Sequence, residues 1–220
     1  WSVAAGIKDF SNYLLYNFKD EPIDLYRRLK INVELCEELG VNIYSFPMKY
    51  HPLHGKNSHD RDYIGEHWNR KYIRAIQAIL NSTKGKVGKG VEFFGEAFGH
   101  TEEEYFELLE MPETFILYRF FFKWLDEKNG HGTEHWRGLW HHCKEKVSDS
   151  EWSRVQEVIH TNVFDADTII NFSDSEVRDL LRCYVNYRKD IVTEGTELYM
   201  LKKEYDQHPT KKLRRKEFHG

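Results

Sequence analysis

Hydrophobic and polar positions along this chain follow two regimes. Residues 11–18 (SNYLLYNF) form an aromatic and aliphatic run, too short for a buried helix and closed by polar turn residues, which predicts a strand covered on both faces. Lys19, Asp20 and Glu21 then lead to Pro22. An acidic residue before proline predicts a helix start, because proline lacks only an N–H that the first helical turn leaves unpaired anyway. Leu25, Leu29, Cys36 and Leu39 recur at three- and four-residue spacing with Val33 beside them, opposite Arg27, Arg28, Lys30, Glu34 and Glu38, so one helix face is expected to dock on a sheet. Gly40 suits a left-handed cap, and residues 41–47 (VNIYSFP) read as a second strand. A crossover of this length makes the two strands parallel neighbours. Ligands of such α/β sheets gather where strands end, here around residues 17–21 and 47–53.

Downstream the period changes. Residues 53–63 (LHGKNSHDRDY) are a polar, turn-rich loop, and residues 65–81 carry Trp68, Tyr72, Ile73, Ala75, Ile76, Ile79 and Leu80 on one wide helical face. The stretch 82–90 (STKGKVGKG) is rich in glycine and lysine and predicts a linker over 83–90. The expected organisation is an α/β domain over 1–82, a helical domain over 91–210 and a basic tail over 211–220. Thr101 and Glu104 predict a capping box, and Pro112 predicts the start of one long apolar helix ending at Asn129 and Gly130. Further helices are predicted over 133–146, 148–160, 173–189 and 196–206.

Composition narrows the classes. A chain that is 40% hydrophobic and 31% charged can build a core beneath an ionic surface, and a net charge of −4 gives no general attraction to nucleic acid or anionic membrane. No apolar run approaches the ~20 residues that cross a bilayer, and three scattered cysteines do not form a secreted disulfide framework, so the expected location is cytoplasmic.

Isolated motifs add little chemistry. His131, Glu134 and His135 have the formal H-x-x-E-H spacing of a zinc site, but Gly130 and Gly132 interrupt the helix which that geometry needs, so the two histidines are expected on different faces and no metal site is assigned. His141, His142 and Cys143 lie nearby and could enlarge a soft-metal site, but a partly exposed amphipathic helix carrying histidines is the preferred reading. Lys84, Lys86, Lys89 and the tail basic residues 211–216 fit a solvated loop and terminus, without an aromatic platform beside them for nucleic acid. Phe120, Phe121, Phe122 and Trp124 read as core.

Residues 12–29 (NYLLYNFKDEPIDLYRRL) followed by 42–53 (NIYSFPMKYHPL) resemble the last two strands and intervening helix of the radical S-adenosylmethionine (radical SAM) enzymes. The likeness spans about residues 6–53. It departs from the family where Asn17 replaces a glycine after the strand and Asp20, Glu21 and Pro22 replace Gly-Glu-Thr. It departs more widely in lacking the C-x3-C-x2-C loop that holds a [4Fe–4S] cluster. The resemblance implies an α/β remnant, the last two parallel strands and helices of a partial TIM-like barrel, followed by an all-α C-terminal domain. It implies that the chain is the C-terminal fragment of a longer protein whose missing N-terminal part carries the cluster. The complete protein would cleave S-adenosylmethionine reductively to a 5′-deoxyadenosyl radical that acts on a substrate which the sequence does not name. Asn17, Tyr44, Ser45, Phe46, Pro47 and Met48 are then expected to border the cofactor, with Lys49 and Tyr50 facing substrate. Strand alternation allows only about half of these to point inward. The competing expectation is a non-enzymatic helical interaction or nucleic-acid-binding module.

Overall fold

The computed structural model describes residues 2–209, which separate into two compact units. The first contains the residues up to Met111 together with His160–Asn162, and the second contains Pro112–Ile159 and the residues from Val163 on. The architecture is mixed α/β, with both strands in the first unit and helices through the rest of the described chain.

Strand β1 (Asp9–Tyr16), helix α1 (Pro22–Leu39) and strand β2 (Asn42–Lys49) form the expected unit, and the strands pair in parallel from Asp9 opposite Asn42 to Tyr16 opposite Lys49. Helix α1 starts on Pro22, and the Asp24 carboxylate reaches back to accept from the Glu21 N–H at 2.9 Å. This satisfies one of the donors that every helix start leaves open. Gly40 closes the helix at φ 61°, a conformation that costs a side-chain-bearing residue a Cβ clash. Leu25, Leu29, Val33 and Cys36 are buried against the sheet side, each large aliphatic contributing about 1.5–3 kcal/mol. Leu39 departs from the expected stripe and is 45% exposed, because the core beyond Cys36 is continued by Val41.

The first unit extends further than the sequence predicts. Helix α2 (Arg70–Ser82) starts at its Asn69 cap, five residues later than expected, because residues 65–69 are held in the turn region. The glycine- and lysine-rich stretch over 83–90 is not a linker between units. Val87 exchanges two backbone hydrogen bonds with Ser45 (2.8 and 2.9 Å) and covers the outer edge of β2. Helices α3 (Val91–Phe98) and α4 (Glu102–Glu110) follow in the same unit. Thr101 caps α4, while Glu104 reaches the His100 N–H at 2.7 Å. The buried Tyr105 hydroxyl donates to the Pro22 carbonyl at 3.1 Å, joining α4 to the start of α1.

The second unit is helical over its described residues: α5 (Glu113–Leu117), α6 (Arg119–Asn129), α7 (Thr133–Lys146), α8 (Asp149–Thr161, whose last two residues belong to the first unit), α9 (Ala166–Ile170), α10 (Ser175–Cys183), α11 (Asn186–Asp190) and α12 (Glu197–Gln207). The single helix predicted from Pro112 is broken at Tyr118, whose ψ of 31° leaves the helical range, and the break lets Phe115 and Phe122 meet edge to face at 4.2 Å. The helix predicted over 173–189 is likewise two helices. Phe121, Phe122, Trp136, Val155, Leu180 and Leu181 are fully buried. Among the described residues no helix is long and apolar enough to cross a membrane. The basic stretch 211–216 lies outside the described residues.

Candidate functional site

The two strands present their side chains to opposite faces, and the two faces differ in cover. One carries Leu14 and Tyr16 from β1 with Ile43, Ser45, Pro47 and Lys49 from β2, and it faces α1. Ser45 is 1% exposed and its Oγ accepts from Asn32 Nδ2 of α1 at 2.9 Å. The other carries Tyr13 and Leu15 beside Tyr44, Phe46 and Met48. Tyr13 is 71% exposed, Leu15 50% and Met48 47%. The expectation of a first strand covered on both faces is therefore corrected, since helix packing covers only one. Alternation also divides the candidates, with Tyr44, Phe46 and Met48 on the open face and Ser45 and Pro47 on the helix face.

The open face has some built detail. The Tyr13 and Phe46 rings lie 5.7 Å apart across the strands. At its far end the Lys86 ammonium sits 4.5 Å from the Tyr44 ring centre, and Gly88 approaches the same ring. Among the described residues, β1 pairs only with β2, so its other edge carries unpaired backbone groups.

At the strand ends Asn17 holds the turn at φ 73°, as its tolerance of the left-handed region allows, and its side chain is fully buried. Nδ2 donates to the carbonyls of Tyr50 (3.3 Å) and Tyr63 (3.0 Å), and Oδ1 accepts from the Gly65 N–H (2.8 Å). This amide is thus occupied by the chain itself. Lys49 donates to the Arg61 carbonyl at 2.8 Å, and burial lowers the pKa of its amine. The Tyr50 ring packs on Phe18 at 4.6 Å and against Tyr63 at 6.0 Å. Lys49 and Tyr50, the residues expected to face substrate, hold the 51–64 loop and its aromatic neighbours. Sequence reasoning placed Asn17 at the right edge but missed this use, because its partners lie 33 to 48 residues away.

A second polar cluster in the first unit escaped the sequence pattern altogether. The Tyr72 hydroxyl donates to Glu110 Oε1 at 2.7 Å, and His160 Nε2 lies 2.8 Å from the same oxygen. Burial first, and then the Glu110 charge, drive the Tyr72 pKa upward.

Metal chemistry finds no support in the remaining candidates. The His131 and His135 rings do meet, at 5.4 Å and edge to face, contrary to the separation expected from the flanking glycines. Yet no group of three or more His, Cys, Asp or Glu side chains among the described residues is arranged to hold a metal ion. Cys36, Cys143 and Cys183 are all buried. Burial pushes the thiols of Cys143 and Cys183 up to about 11 and about 12, and the Cys36 sulfur accepts from the Ile43 N–H. These thiols do not fit the thiolate donor set of an iron–sulfur cluster.

No protein-family model, curated protein or solved structure matches this chain.

Proposed function

We propose that this chain is the C-terminal part of a cytoplasmic radical SAM enzyme, in which β1 and β2 are the closing strands of a partial barrel and polypeptide upstream supplies the other strands and the cluster ligands. The observation that carries this reading is the open face of the sheet together with the unpaired edge of β1. Parallel strands are ordinarily buried on both faces, and a two-stranded sheet is marginal by itself, so this surface has the form of a sheet meant to continue. The resemblance of residues 6–53 supplies the family.

On this reading Tyr44, Phe46 and Met48, with Tyr13 and Leu15, form the wall that borders S-adenosylmethionine. Ser45 and Pro47 support that wall from behind, and Asn17, Lys49 and Tyr50 shape its rim. The cofactor supplies the radical chemistry, while these residues bind it, orient it and exclude water. No step runs through Cys36, Cys143 or Cys183.

The test is expression of the reading frame with its upstream sequence, anaerobic iron–sulfur reconstitution, and assay for 5′-deoxyadenosine from S-adenosylmethionine under a strong reductant. The reading expects a C-x3-C-x2-C loop upstream, reductant-dependent product, and loss of product in Phe46→Asp. An upstream sequence without that cysteine triplet, or a reconstituted protein that forms no 5′-deoxyadenosine, contradicts it.

A further inference from the structure

We infer that Asn17 is a positioning residue that clasps the 51–64 loop to the strand ends, making this loop a fixed rim of the ligand edge. Three hydrogen bonds converge on its buried amide, from the residue at which the chain leaves β2 (Tyr50) and from two at which it returns (Tyr63 and Gly65). One side chain therefore ties both stems of the loop. Gly65 seats the returning stem directly on the turn, since a Cβ there would lie 2.4 Å from the Phe18 carbonyl oxygen.

Other contacts close the same loop. Lys49 holds the Arg61 carbonyl at 2.8 Å, and the Tyr50 and Tyr63 rings meet across the stem. Inside the loop, His59 N–H donates to the Pro52 carbonyl at 3.1 Å and Ser58 N–H to the Gly55 carbonyl at 3.1 Å. A compact loop with joined ends and its own internal bonds keeps its shape. Its exposed residues, among them Lys56, His59 and Arg61, are then presented at set positions beside the strand ends. The clasp stands on this geometry alone. If the radical SAM reading also holds, the loop is the part of the rim through which substrates are selected.

Asn17→Gly separates the two jobs of the residue, because glycine keeps the left-handed turn and removes the amide. In the full chain without any ligand, trypsin cleavage after Lys56 and Arg61, read by mass spectrometry, is expected to rise on the order of 100-fold, the size that losing three hydrogen bonds gives, while cleavage after Arg28 and Lys30 in α1 stays as it was. Asn17→Asp, which sets a carboxylate against two carbonyls, is expected to do the same. Unchanged loop cleavage in a folded Asn17→Gly protein, or a rise shared by α1, overturns the inference. Should the variants fail to fold, amide exchange in the unaltered chain decides. Gly65 is expected to exchange as slowly as Tyr50, whose N–H is bonded to Tyr16, and exchange as fast as that of exposed Lys56 overturns the clasp. None of these readouts depends on S-adenosylmethionine, so their failure is distinct from failure of the proposed function.

Discussion

The two faces of the β1–β2 sheet are built from similar side chains and meet different fates. Tyr16 at the end of β1 is 2% exposed, whereas Tyr13, three residues earlier and on the opposite face, is 71% exposed. Leu29 of α1, which packs on the covered side, is fully buried, while Leu15 on the open side is half exposed. Residue type therefore does not separate the faces; cover does, from α1 and, over Tyr16, from the Trp68 ring at 5.3 Å. On the proposed function, these apolar side chains beside the unpaired edge of β1 are the surface on which further strands dock.

The largest expected effect breaks this comparison directly. Leu29→Ala is expected to cost about 2–5 kcal/mol in urea unfolding, whereas Leu15→Ala is expected to stay within about 0.5 kcal/mol. Equal losses would mean that the open face is covered in this chain after all. Gly65→Ala is next, at about 1–3 kcal/mol, because its Cβ would be driven into the Phe18 carbonyl, a backbone atom with little room to move. A melt indistinguishable from the unaltered protein would show that the loop stem does not rest on the turn.

The covered face also leaves a pH signature. Burial pushes the Tyr16 phenol from 10.0 up to about 12. The folded state then keeps a proton that the unfolded chain gives up. The stabilisation is fully present below pH 10.0 and is lost as pH rises toward about 12, with a slope of up to about 1.4 kcal/mol per pH unit. Tyr16→Phe is expected to flatten the alkaline decline in urea melts over that interval, and an unchanged slope would contradict it. The smallest effect is on the solvent side of α1, where Arg27 and Glu102 form a two-pronged ion pair at 2.8 Å with both side chains exposed. Arg27→Ala is expected to change stability little, and added salt should remove what difference remains.

Much of the first unit was legible because local chemistry and tertiary packing agree there. Proline at the start of α1, glycine at its end and the apolar stripe between them specify the crossover, and a crossover of that length makes the strands parallel. The open face was not legible, since a run of tyrosine and leucine reads alike whether or not something covers it. The stretch 83–90 misled for a related reason: glycine and lysine mark a loop, but only Val87, paired to Ser45, shows that the loop lies against β2. In the second unit the break at Tyr118 falls within a run apolar all round, where periodicity gives no sign of a stop. Of the candidate residues, sequence named the strand-end segment, and alternation in the structure divides its members between the two faces. Asn17 shows the limit most clearly, because hydrogen bonds across 33 to 48 residues leave no trace in local pattern.

The proposed function requires that polypeptide upstream of this chain covers the open face of the sheet. All three native cysteines are buried, so a thiol introduced as Leu15→Cys gives a clean signal against maleimide. In this chain alone it should label at the rate of an exposed thiol, and in the protein expressed with its upstream sequence it should be protected at least about tenfold. Equal labelling in the two proteins would contradict the account.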